Sequence, residues 1–88
     1  MGQWYVYIIE CADQTLYIGA TSDVKRRIEE HNTSPKGARY TKSRRPVTLR
    51  YMELHNSQSA ALIREISLKR LTRAQKLELI GQGAQGTP

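Results

Sequence analysis

The chain has no phenylalanine, one cysteine and one tryptophan in 88 residues. A lone thiol, Cys11, excludes an internal disulfide and any dependence on an oxidising compartment, which favours a cytoplasmic location. No Cys/His group has zinc spacing. No apolar run is long enough to cross a bilayer, so no membrane is expected as a partner. The apolar N-terminus has no Lys or Arg before it and does not read as a secretion signal. There are no internal repeats. A chain this short forms one domain that buries only about 60–65% of its unfolded surface, with room for one small sheet and two or three helices. Residues 1–80 are expected to form that domain. Gly81 to Pro88 contains no large apolar residue, and a disordered tail is expected there.

Acid is missing from one segment. Between Lys36 and Arg50 stand six cations (Lys36, Arg39, Lys42, Arg44, Arg45 and Arg50) and no Asp or Glu. The net charge of the chain is +6, so the flanking regions cancel and this segment carries the whole excess. Such a concentration suits a polyanion, because phosphate contacts release counterions and favour association. Tyr40 sits among the cations, where it could stack on a base or touch a sugar. The plainer alternative is a solvated loop.

Trp4 to Cys11 is apolar on both alternating sets, which suits a strand covered on both sides. Thr15 to Ala20 forms a second strand and completes a hairpin. Its register matters chemically. A two-residue turn would put Tyr7 and Tyr17 on opposite faces. A three-residue loop, Ala12 to Gln14, pairs Cys11 with Thr15, Ile9 with Tyr17 and Tyr7 with Gly19, so that both phenols share a face. The second register is expected. Gly19 either marks a crowded packing spot or leaves bare backbone for a substrate phosphate.

Thr21-Ser22-Asp23 offers N-caps for a helix from about Val24 to His31. Val24 and Ile28 mark its buried stripe, and Arg27 and His31 fall on or beside it. An Asp23–Arg27 pair and a capping His31 are the alternatives. Asn32 to Arg45 reads as a long basic loop. Val47 to Leu54 reads as a third strand, with Leu49, Tyr51 and Glu53 alternating against Arg50, Met52 and Leu54. Asn56 or Ser57 caps a helix over Gln58 to Arg70, with Ala61, Leu62, Ile66 and Leu68 as its apolar positions. Glu65 borders that face; a surface pair with Lys69 is its plainer reading. Thr72 to Gln75 matches a capping box that opens a last short helix, with Gly81 as its stop. His55 reads as a turn residue.

Tyr7, Tyr17-Ile18-Gly19, Arg27, His31 and Glu65, in that order and spacing, resemble the GIY-YIG nuclease domain. The first half-motif is Tyr5-Val6-Tyr7, degenerate except at its last tyrosine; the second is intact. Residues 36–49, KGARYTKSRRPVTL, resemble the small stand-alone bacterial (YhbQ-like) group and the nuclease domain of eukaryotic flap and junction resolvases. The resemblance covers residues 4 to about 80. It implies an α+β fold with a central three-stranded antiparallel sheet flanked by helices. It implies a DNA endonuclease of repair or recombination, acting on flapped, branched or single-stranded DNA with one Mg²⁺ (or Mn²⁺).

In that frame Glu65 is the metal ligand, a hard oxygen donor too solitary to hold the ion firmly without substrate. Arg27 forks onto the phosphate oxygens. Tyr17 is the candidate general base, with Tyr7 assisting and cations lowering the phenol pKa. His31 orients a tyrosine or takes the proton itself. Gly19, Lys36, Arg39, Tyr40, Lys42, Arg44 and Arg45 are the expected nucleic-acid contacts. The competing class is a non-catalytic nucleic-acid-binding module with the same fold.

Overall fold

The computed structural model describes residues 2–82. The elements are β1 (Trp4–Glu10), β2 (Leu16–Thr21), α1 (Val24–Thr33), α2 (Arg39–Lys42), β3 (Thr48–His55), α3 (Gln58–Lys69) and α4 (Arg73–Gly81). The three strands form one antiparallel sheet in the order β2-β1-β3. β1 is central because both of its alternating residue sets are apolar. Val6 and Ile8 join Ile18, Tyr51, Ala61, Leu68 and Ile80 in one core, under α3 and α4. Tyr7 and Ile9 join Cys11 and Val47 in a second core on the opposite face, with Ile28 of α1 against it.

The hairpin adopts the three-residue loop. The Cys11 N–H donates to the Thr15 carbonyl at 2.9 Å, Tyr7 lies opposite Gly19, and Ile9 lies opposite Tyr17. Gln14 takes the left-handed conformation the turn requires, at φ 70°. Asp13 locks the turn by accepting from the Thr15 N–H (3.2 Å) and hydroxyl (2.6 Å). Both tyrosines therefore belong to the second core's face.

Four local expectations change. In β3, Ile8 pairs with Tyr51 but Ile9 pairs with Leu49, so Arg50 is an extra residue in a bulge. The bulge resets the alternation, and Leu49 and Met52 line the same apolar groove against Val24 and Ile28. In α3, Ala61 and Leu68 are buried, but Leu62 and Ile66 are exposed. Gly81 is the last residue of α4, and Gln82 caps it. The basic segment is no open loop: α2 interrupts it, and Thr41 is fully buried. The helix starts are as expected. Asp23 and Ser57 cap α1 and α3 with their side chains, and Thr72 and Gln75 form a reciprocal capping box. Of the expected disordered tail, residues 83–88 lie outside the described residues.

Candidate active site

The site grows from the end of α1. Asp23 fixes the helix start, and His31 then falls over the sheet face that carries the tyrosines. Its imidazole is 0% exposed. Nε2 lies 2.9 Å from the Tyr7 hydroxyl, and Nδ1 lies 2.9 Å from Oγ1 of Thr41. The Thr41 hydroxyl donates to the Ala38 carbonyl at 2.9 Å, within the turn of α2. The Tyr7 and Tyr17 rings meet the imidazole edge-on, at centroid distances of 5.9 and 5.4 Å.

Burial disfavours charge on both hydrogen-bonded partners. The Tyr7 phenol is pushed up to about 12, first by burial, with the Arg27 guanidinium opposing. His31 is pushed down to about 4, again first by burial and then by Arg27. At Tyr7 desolvation outweighs the lowering by Arg27. At neutral pH the pair is a neutral phenol against a neutral imidazole.

Arg27 points to this cluster, as expected from its helix position. Its Nη1 donates to Glu30 Oε1 and to the Lys36 carbonyl, each at 2.8 Å. Both bonds use one nitrogen, so they do not consume the rest of the guanidinium fork. The alternative Asp23–Arg27 side-chain pair does not form; Asp23 instead accepts the Arg26 N–H. Tyr17 stacks on Tyr40 at 5.7 Å, and the Arg44 guanidinium lies 4.1 Å over the Tyr40 ring. Arg44 also pairs with Asp13 at 3.0 Å and donates to the Tyr40 carbonyl at 2.8 Å. The hairpin turn and α2 are thereby stapled together.

Four expected nucleic-acid contacts have internal partners: Tyr40 and Arg44, just described, and Gly19 and Arg45. The space that Gly19 leaves is filled by Tyr7: a Cβ there would lie 2.5 Å from Tyr7 Cζ and closer still to the hydroxyl. Gly19 is the crowded packing spot, with no room for a phosphate. Arg45 caps the end of α1, donating to the carbonyls of His31, Glu30 and Ser34, the last at 2.7 Å. Gly37 lets the chain approach there, since a Cβ would lie 2.6 Å from the Glu30 carbonyl oxygen. Lys36, Arg39 and Lys42 are exposed and, among the described residues, form no ion pair.

Glu65 lies on α3. Its side chain is 16% exposed and pairs with Lys69 at 3.0 Å, as the plainer reading expected. It is also close enough to Tyr7 for its negative charge to help raise that phenol. Thr41, Glu30 and Asp13 were not picked out by sequence reasoning. The one available signal was Thr41 as the small polar residue inside KGARYTK.

The chain matches the model of the GIY-YIG catalytic domain over residues 3–78. It belongs to the GIY-YIG family. That family is one of nucleases, which act on nucleic acid and generally use divalent metal ions. Among small stand-alone members, a UPF0213 protein of Syntrophus aciditrophicus is 49% identical over 85 residues, covering 97% of this chain and 98% of that one. A UPF0213 protein of Staphylococcus haemolyticus is 50% identical over 80 residues, covering 91% and 96%. The solution NMR structure of a UPF0213 protein from Bacillus halodurans superposes with a TM-score of 0.60 at 39% identity, covering 96% of this chain and 88% of that one. This GIY-YIG domain has the α+β fold expected of it. Among its described residues no helix is long and apolar enough to cross a membrane.

Proposed function

We propose that this GIY-YIG domain is a metal-dependent DNA endonuclease. It hydrolyses phosphodiester bonds in flapped, branched or single-stranded DNA during repair or recombination. The cytoplasm suits its single, buried, free thiol. The reading rests on one observation: Tyr7, Tyr17, Arg27 and His31 converge on one sheet face, beside the exposed cations Lys36, Arg39 and Lys42.

The donor set for an ion is a single carboxylate, Glu65, which Lys69 would have to release. No group of three His, Cys, Asp or Glu side chains suited to a metal occurs among the described residues. Glu65 alone would hold Mg²⁺ (or Mn²⁺), with water and phosphate oxygens as the other ligands, and the ion would neutralise charge on the phosphate and leaving oxygen.

Tyr7, rather than Tyr17, is the phenol with a proton acceptor in place. In this reading Tyr7 takes a proton from the attacking water while its own passes to His31 Nε2. A concerted transfer avoids a free phenolate, which burial makes costly; the imidazolium it forms is disfavoured by the same burial and by Arg27, and the negative phosphate brought beside it offsets that cost. Tyr17 orients the water or phosphate. Arg27, anchored by Glu30, presents the rest of its fork to the non-bridging oxygens. Lys36, Arg39 and Lys42 supply attraction for the backbone without reading sequence.

The test is cleavage of labelled single-stranded, flapped and duplex DNA with Mg²⁺ or EDTA. Wild type should cut only with metal, and Glu65→Gln and Tyr7→Phe should bind but not cut. Cleavage by Glu65→Gln at the wild-type rate would overturn the reading. The Glu65–Lys69 pair supports a second reading, a binding module whose carboxylate is already neutralised. Under that reading none of the three proteins cuts, while all three bind.

A further inference from the structure

We infer that Thr41 is a positioning residue: it fixes His31 as the Nδ1–H tautomer and so leaves Nε2 bare toward the Tyr7 hydroxyl. The inference follows from counting protons along a buried chain. A threonine hydroxyl has one proton to give and lone pairs to receive. Thr41 gives its proton to the Ala38 carbonyl, 2.9 Å away, and a carbonyl cannot donate in return. Toward His31, Thr41 Oγ1 can therefore only accept. The Nδ1 facing it at 2.9 Å must carry a proton.

A neutral imidazole has one proton. With Nδ1 occupied, Nε2 is a lone pair, and the contact at 2.9 Å is the Tyr7 O–H donating to it. The chain thus runs one way, from Tyr7 to His31 to Thr41 to the Ala38 carbonyl. Arg27 lies at the upstream end beside the Tyr7 oxygen, where it can only donate. Reversal would demand that the Thr41 hydroxyl give up its bond to the Ala38 carbonyl, an oxygen that the Thr41 backbone N–H also donates to at 3.0 Å. His31 and Thr41 are both 0% exposed, so bulk water does not compete for the bond between them.

The consequence for the reaction rests on the reading above. An Nε2 lone pair accepts the Tyr7 proton directly, whereas the opposite tautomer would block it. Partners that orient metal-ligating histidines are worth about 10–100-fold in activity, and a loss of that order is expected for this analogous contact.

The deciding experiment is ¹⁵N NMR of the His31 side chain in wild type, Thr41→Val and Thr41→Ser. Wild type and Thr41→Ser should show protonated Nδ1 and unprotonated Nε2. Thr41→Val, which keeps the shape but cannot accept, should shift toward the Nε2–H form. In the cleavage assay Thr41→Val should lose kcat by about 10–100-fold at unchanged KM, and Thr41→Ser should recover it. Protonated Nε2 in wild type, or an unchanged pattern in Thr41→Val, overturns the inference. If the valine variant does not fold, the wild-type and serine spectra decide it alone. If the tautomers are as stated but wild type cuts no DNA, the endonuclease reading fails and the role of Thr41 stands.

Discussion

Acidification should unfold this domain through one residue more than any other. His31 is fully enclosed by Tyr7 of β1, Tyr17 of β2, Thr41 of α2 and the cations Arg27 and Arg45, with Glu30 as the opposing charge beside it. Burial first, and Arg27 next, move its pKa from 6.5 to about 4. A pKa depressed in the folded state contributes stability that is fully present above 6.5 and is lost as pH falls toward 4. At about 1.4 kcal/mol per pH unit, the gap corresponds to about 3 kcal/mol. A small domain has only about 5–15 kcal/mol in total, so the loss is large. Urea melts of wild type and His31→Gln, at fixed ionic strength from pH 7 to pH 4, isolate it. Glu30, Glu53 and Asp13, all held low by hydrogen-bonded partners, are present in both proteins and cancel on subtraction. Wild-type stability should fall by about 3 kcal/mol more than that of the variant. Parallel pH profiles would refute the account of His31 as a buried neutral base.

Gly19→Ala should destabilise the fold by about 1–3 kcal/mol, the usual cost of overpacking, and should lower cleavage by displacing Tyr7; urea melts read the first effect and the DNA assay the second. Replacing Lys36, Arg39 and Lys42 together by Ala should flatten the slope of log affinity against log salt for single-stranded DNA by about 2–3, as followed by fluorescence anisotropy. Arg45→Ala should leave that slope unchanged and instead cost about 1–3 kcal/mol of stability, because its guanidinium is bonded to the end of α1.

The hairpin register could be reasoned from the sequence because only an odd-numbered loop brings Tyr7 and Tyr17 to one face. The position of His31 was equally accessible from helix spacing. The interior of the basic segment was not. Its order comes from bonds between distant residues, Arg44 to Asp13 and Asn32 to both backbone groups of Val47, which no local pattern records. The buried face of α3 is legible only in part: Ala61 and Leu68 pack inward as expected, Leu62 and Ile66 do not. Leu62 and Ile66 are apolar, but the close-packed position belongs to Ala61, whose small side chain permits the helix to approach the sheet. The β3 bulge is not legible in the sequence because an extra residue leaves no mark on composition; it shows where Leu49 and Met52 come to share a groove. Which internal partners would neutralise Glu65 or Arg27 depends on rotamers, and i,i+4 spacing offered Lys69 only as one option.

The odd-numbered loop between β1 and β2 also constrains how this chain could change over generations. Adding or deleting one residue among 12–14 would exchange Tyr17 for Ile18 across the sheet, throwing an aromatic into the wrong core and an aliphatic into the catalytic one. Length drift at this turn is therefore tolerable only in steps of two, or with a compensating kink, which makes a surface corner as restrictive as the interior.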